Sequence, residues 1–188
     1  MNNKFERMYA LPEQIAADLS EGDSMLLSCP SFEADESGAF FDLLACDGAP
    51  PEYVLWISLR ESVDDRVSEW AQRTDLRPQT ATYLAVRSDL STPEQTPDSV
   101  GDGTQATSFE LSKTEVSPPS DFTTLGVRIT EQLESWRTES PDSRIAVCFD
   151  SLSMLFQYAE RHQTVKFLRA LTEQLAAVNA IAHFHIDP

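Results

Sequence analysis

Five short apolar runs, at residues 25–29, 53–58, 82–86, 145–149 and 181–186, restrict the fold of this 188-residue chain more than any other feature. Val54-Leu55-Trp56-Ile57 and Ile145-Ala146-Val147-Cys148-Phe149 are apolar at successive positions, without the polar alternation of a strand that has one wet face. Strands of that kind are buried on both sides of a sheet. The segments between the runs carry helical periodicity, so strand and helix alternate. That order predicts an α/β fold, a mostly parallel sheet of about five or more strands flanked by helices on both faces. An α+β domain with some antiparallel pairing is the competing architecture.

The helical segments have recognisable stripes and ends. Phe122, Leu125, Ile129, Leu133 and Trp136 recur at steps of three or four, with Asp121 or Ser120 as the cap after Pro118-Pro119. Val63, Val67 and Trp70 follow Ser62, which can cap with Asp65 three residues on. Phe40, Phe41, Leu43 and Leu44 form an apolar cluster that ends at Gly48. After Asp150, the residues Val165, Leu168, Leu171, Leu175 and Val178 make an inner stripe, with Gln163-Thr164 as a break. The length suits a single domain over 1–188. Residues 88–119 interrupt the pattern with Pro93, Pro97, Gly101, Gly103, Pro118 and Pro119 among many Ser and Thr, and read as a loop or hairpin insertion. Within it, 108–111 and 113–116 suit a short hairpin or an edge strand.

Charge excludes whole classes of partner. Lys+Arg number 14 and Asp+Glu 31, for a net charge of −17. A nucleic-acid binder needs a basic footprint, and an anionic membrane surface would repel this chain. Only Lys4, Lys113 and Lys166 are lysines. Acidic excess with scarce Lys fits a cytoplasm of molar salt, where the screening length falls to about 3 Å. No stretch approaches the roughly 20 apolar residues of a membrane span. The N-terminal sequence lacks the apolar run of a signal peptide, so the expected location is cytoplasmic. Cys29, Cys46 and Cys148 form no CxxC pair and read as buried, inert thiols.

Ligands of a parallel sheet bind at the carboxyl ends of its strands. Three such ends carry suggestive residues: 30–37 after the first run, Ser58-Leu59-Arg60-Glu61-Ser62 after the second, and Asp150-Ser151 after 145–149. An apolar strand that ends in Asp is how a Walker B carboxylate is presented to magnesium. The order of elements resembles the RecA/KaiC superfamily of P-loop ATPases, most closely the small degenerate KaiC-like proteins of halophilic archaea, some of them labelled transducer-like. The resemblance spans residues 19–188 and is carried by LLSCP, FFDLLA, VLWISLRES, RIAVCFDSLSMLFQYA and AHFHIDP. Its most specific element is Asp150-Ser151-Leu152-Ser153.

The resemblance implies a nucleotide site that has lost its phosphate loop. The first loop glycine becomes Cys29, the loop lysine falls on Asp35 or Glu36, and the glycine before it becomes Ala34 or Asp35. A hydroxyl survives only in the register that uses Ser37. The two adjacent carboxylates after the second strand appear as Arg60-Glu61. Each close like-charge pair between a triphosphate and Glu33, Asp35 or Glu36 would cost about 4 kcal/mol at 4 Å and an effective dielectric of 20, before screening. Asp35, Glu36, Ser37, Glu61, Asp150 and Ser151 are therefore vestigial nucleotide-site positions, with no catalytic, cofactor-binding or metal-binding residue expected.

Each remnant also has a plain structural role available to it. Asp150 can cap the next helix or pair with an Arg, against a retained metal contact. Arg60 and Glu61 suit a solvated turn. His183, His185 and Asp187 alternate on one face of the last strand, as a partly exposed edge or as metal ligands. His162 reads as a solvated helix junction, and Trp56, Trp70 and Trp136 as core. Ser151 and Ser153 have no base at an informative spacing for a nucleophile. The expected function is a non-catalytic KaiC-like module, without a cofactor, that binds a protein partner, itself or an active relative included, in regulation or signalling. The alternative is a weak ATP-binding protein or ATPase with an atypical phosphate loop. The 88–119 insertion is a further place for a partner to dock.

Overall fold

The computed structural model describes residues 19–28, 51–60, 62–73, 78–88 and 109–188. In chain order, these form β1 (Ser24–Ser28), β2 (Tyr53–Ser58), α1 (Val63–Arg73), β3 (Thr80–Val86), β4 (Glu110–Val116) and α2 (Phe122–Glu139). β5 (Ile145–Asp150), α3 (Leu152–Tyr158), α4 (Arg161–Ala177) and β6 (Ile181–Ile186) complete the order. The strands make one six-stranded sheet in the order β1-β6-β5-β2-β3-β4, and every pairing is parallel. This is the α/β architecture that the apolar runs predict, with no antiparallel pair among the described strands. Residues 110–116 form one edge strand rather than a hairpin, in register with β3 from Thr80↔Glu110 to Val86↔Val116.

Each face of the sheet has its own apolar layer. On one face Leu55, Ile57, Leu84, Val86, Val147, Phe149, Ala182 and Phe184 pack against Leu125, Ile129, Leu133 and Trp136 of α2, Leu155 of α3, and Leu171 and Leu175 of α4. On the other, Val54, Trp56, Ala81, Tyr83, Ala85, Ala146 and Cys148 meet Val63 and Val67 of α1. β2 and β5 are buried at all positions, which is why their sequences are continuously apolar. Complete burial of a Val, Leu, Ile or Phe side chain contributes about 1.5–3 kcal/mol, so these central strands dominate the favourable side of folding. Tyr53 stacks on Trp136 with ring centroids 5.0 Å apart.

Helix ends follow from local chemistry. Asp121 accepts the Thr124 backbone N–H at 3.0 Å and starts α2. The Ser62 hydroxyl accepts the Asp65 N–H at 3.2 Å and starts α1. The break after β5 falls at Ala159-Glu160, between α3 and α4, and not at Gln163-Thr164. Thr164 lies inside α4, fully buried, where its hydroxyl donates to the Glu160 carbonyl at 3.1 Å. A threonine satisfied in this way takes the inner stripe with Leu171 and Leu175, which turns Val165 outward to 52% exposure.

The strand order sets where a site belongs. From β2 the chain steps one way to β3 and β4, returns to the opposite side of β2 as β5, and then steps the other way to β6. The carboxyl ends of β2 and β5 therefore flank the point where the winding reverses, the preferred ligand crevice of an open α/β sheet. No helix among the described residues is long and apolar enough to cross a membrane.

Candidate functional site

Side chains alternate across a strand, so Cys148 and Asp150 of β5 share the α1 face with Trp56 and Ser58 of β2. Cys148 pairs in register with His183, which brings His183 and His185 of β6 to the same face. Towards the carboxyl ends this face turns from apolar to polar, and Ser58, Asp150, His183 and His185 are all buried there. α1 closes over them and contributes Arg66, itself buried.

Asp150 is the hub of this cluster. Its Oδ1 accepts from Arg60 Nη2 at 2.9 Å and from His185 Nδ1 at 2.8 Å, and its Oδ2 accepts from Arg66 Nη2 at 3.2 Å. Arg60 Nη1 lies 3.4 Å from both carboxylate oxygens of Asp187, so one guanidinium spans the ends of β5 and β6. Arg60 Nη2 is also 3.2 Å from His185 Nδ1. A guanidinium has no lone pair to offer, and a carboxylate has no proton. Nδ1 of His185 must carry the hydrogen, because its shorter contact is with the Asp150 oxygen. The Asp187 N–H donates to Ser153 Oγ at 2.7 Å and ties the end of β6 to α3.

Two ionisation states follow from this setting. Burial alone would raise the Asp150 carboxyl, but the His185 hydrogen bond and the charges of Arg60 and Arg66 outweigh it and hold the group below the ordinary carboxylate range. His183 is enclosed completely, and burial with the nearby Arg66 charge pushes its imidazole down to about 3, so it is neutral at physiological pH. His183 therefore adds no charge there, and Arg60 and Arg66 face the Asp150 carboxylate.

Of the residues that the sequence marks, Asp150 and Ser151 sit together at the switch point. Ser151 caps α3 by accepting the Met154 N–H at 3.3 Å, and the Asp150-Ser151 peptide is cis. Asp150 takes the arginine-paired role of its alternatives, not the capping one. Asp35, Glu36, Ser37 and Glu61 lie outside the described residues, as do Cys29, Cys46, the 40–44 cluster and the Trp70 side chain. Arg60 departs from the expected solvated turn: its side chain is 25% exposed because it folds back onto Asp150. His183 and His185 depart from the expected exposed edge, since β6 lies between β1 and β5 inside the sheet. Among the described residues, no group of three or more His, Cys, Asp or Glu side chains could hold a metal ion. His162 is exposed in the first turn of α4, and Trp56, Trp136 and Cys148 are buried.

Arg66 is the residue that sequence reasoning passes over. Its signal was present: Val63, Arg66 and Val67 fall at i, i+3 and i+4, which puts an arginine on the apolar stripe of α1. A cation on a buried stripe needs a buried acid, and Asp150 supplies it from 84 residues away. No curated protein matches the chain. Residues 22–188 match the model of a family of unknown function, DUF7504, and the chain belongs to that family.

Proposed function

We propose that this domain is a non-catalytic KaiC-like module, a pseudo-ATPase that works in regulation or signalling by binding another protein, itself or an active relative. The observation that carries this reading is the pairing of both Asp150 oxygens with arginine or histidine. A carboxylate that serves magnesium must offer an oxygen to the metal, whereas both oxygens here accept from arginine or histidine. A divalent cation that replaced one partner would still face the other guanidinium, at a cost of about 4 kcal/mol per unit-charge pair at 4 Å and an effective dielectric of 20. The acids at Asp35 and Glu36, in place of a phosphate-loop lysine, act in the same direction.

Calorimetry with Mg-ATP in molar KCl tests the reading. No binding heat and no phosphate release are expected, and micromolar affinity with turnover contradicts it. One feature favours the alternative of a weak ATP-binding protein: Arg60 keeps a quarter of its side chain exposed at the crevice, where it could turn towards a phosphate. That alternative requires a melting shift with Mg-ATP that Asp150→Asn abolishes.

A further inference from the structure

The exposed side of α4 has the opposite charge to the chain as a whole. Its sequence carries Arg161, Lys166 and Arg169 against the single acid Glu173, in a chain whose net charge is −17. α1 and α2 each carry more acids than cations. All three α4 cations and His162 are exposed. Arg169 pairs with Glu173 one turn on, both side chains more than two-thirds exposed, while Arg161 and Lys166 have no ion pair among the described residues. The first turn of α4 holds no acid and opens on Arg161 and His162, although the N-terminus is the positive end of a helix. Cations there oppose the macrodipole, so helix stability does not account for them.

Val165 stands in the middle of this face, 52% exposed. Its neighbours one turn away on the helix surface are Arg161, His162, Leu168 and Arg169. An exposed apolar spot is thus ringed by cations, and the half-buried Leu168 joins it to the core. An apolar centre with a charged rim is the anatomy of a protein interface, where arginine is enriched.

We propose that this face of α4 docks an acidic amphipathic helix of a partner protein, with an aliphatic anchor and carboxylates one turn to either side of it. The anchor covers Val165 and Leu168, and the carboxylates meet Arg161 and Arg169. In molar salt the screening length is about 3 Å, so only carboxylates in direct contact with the guanidiniums count. That need for contact gives the face its specificity. A nucleic acid or an anionic membrane presents a broad negative field, which the other acids of this chain repel. The proposal rests on the reading of the domain as a protein-binding module and adds the chemistry of the partner.

The test is fluorescence anisotropy of the full chain in molar KCl. The probe is a labelled helical peptide with leucine at i, i+3, i+4 and i+7 and glutamate elsewhere. Controls replace its glutamates by lysine or its leucines by serine, and a labelled single-stranded oligonucleotide and phosphatidylglycerol vesicles complete the set. The acidic amphipathic peptide should bind, and every control should bind at least about tenfold more weakly, one decade in Kd. Val165→Ser, and Arg161→Gln combined with Arg169→Gln, should each weaken peptide binding about tenfold without lowering the ligand-free melting midpoint. No binding of the acidic peptide, equal binding of any control, or undiminished binding in either variant would overturn the proposal. Self-association that Val165→Ser abolishes, read by sedimentation, would assign the face to a second copy and overturn it as well. A failed peptide test with no Mg-ATP binding heat removes this surface alone, whereas Mg-ATP turnover removes the module reading.

Discussion

On the face covered by α2, α3 and α4 the sheet buries Leu, Ile, Val and Phe against more of the same, whereas under α1 it buries Arg66, Asp150, His183 and His185 beside Trp56 and Tyr83. The first layer is held by area removed from water, a term that tolerates repacking. The second adds to its own apolar layer a few mutually dependent charges, where losing one partner strands the others away from solvent. Vulnerability should therefore be graded along the second face and more even along the first.

The largest effect is expected from Asp150→Ala, which leaves Arg66 buried and Arg60 half-enclosed without their carboxylate. The loss should be about 3–5 kcal/mol in denaturant unfolding at fixed molar KCl. Leu133→Ala, at the centre of the apolar layer, should cost about 2–5 kcal/mol, depending on how far the cavity collapses. A loss below about 1 kcal/mol for Asp150→Ala, the size of a surface ion pair, would remove the distinction between the two faces.

Acid should sharpen the contrast. His183 titrates near 6.5 when unfolded but only at about 3 when folded, so the unfolded chain binds the extra proton between these values. Stability should fall as pH drops from 6.5, by about 1.4 kcal/mol per unit. Asp150, held below its ordinary value of 3.8, contributes stability above that value and loses it as pH falls through the lower folded value. His183→Gln should flatten the slope between pH 6.5 and 4, as read from urea midpoints, whereas Leu133→Ala should leave it unchanged. Parallel slopes for wild type and His183→Gln would contradict the buried neutral imidazole. The smallest effect is Ser62→Ala, which removes the cap of α1 at a cost of about 1 kcal/mol by the same measurement.

The apolar runs and the α2 stripe were legible because they report local burial: a strand with two dry faces and a helix with one dry stripe write those facts into successive residues. The start of α4 was misread for an equally local reason. Thr164 looks like a breaker until its hydroxyl is seen to donate to the Glu160 carbonyl one turn back. The site was only partly legible. Asp150 stood out at a strand end, but its partners come from β2, α1 and β6, at sequence separations of 35 to 90 residues. Only the strand order makes them neighbours, and it places β6 inside the sheet, where His183 and His185 are covered. Arg66 alone carried a warning in its own helix.

The central claim, that arginines and a histidine occupy the carboxylate of Asp150, is tested most directly by its carboxyl carbon resonance. The protein, labelled with ¹³C at aspartate, would be titrated with Mn-ATP in molar KCl while paramagnetic broadening is followed. The account predicts that the Asp150 signal stays as sharp as those of buried residues far from the strand ends. Selective loss of that signal on adding Mn-ATP, reversed by excess Mg-ATP, would contradict it.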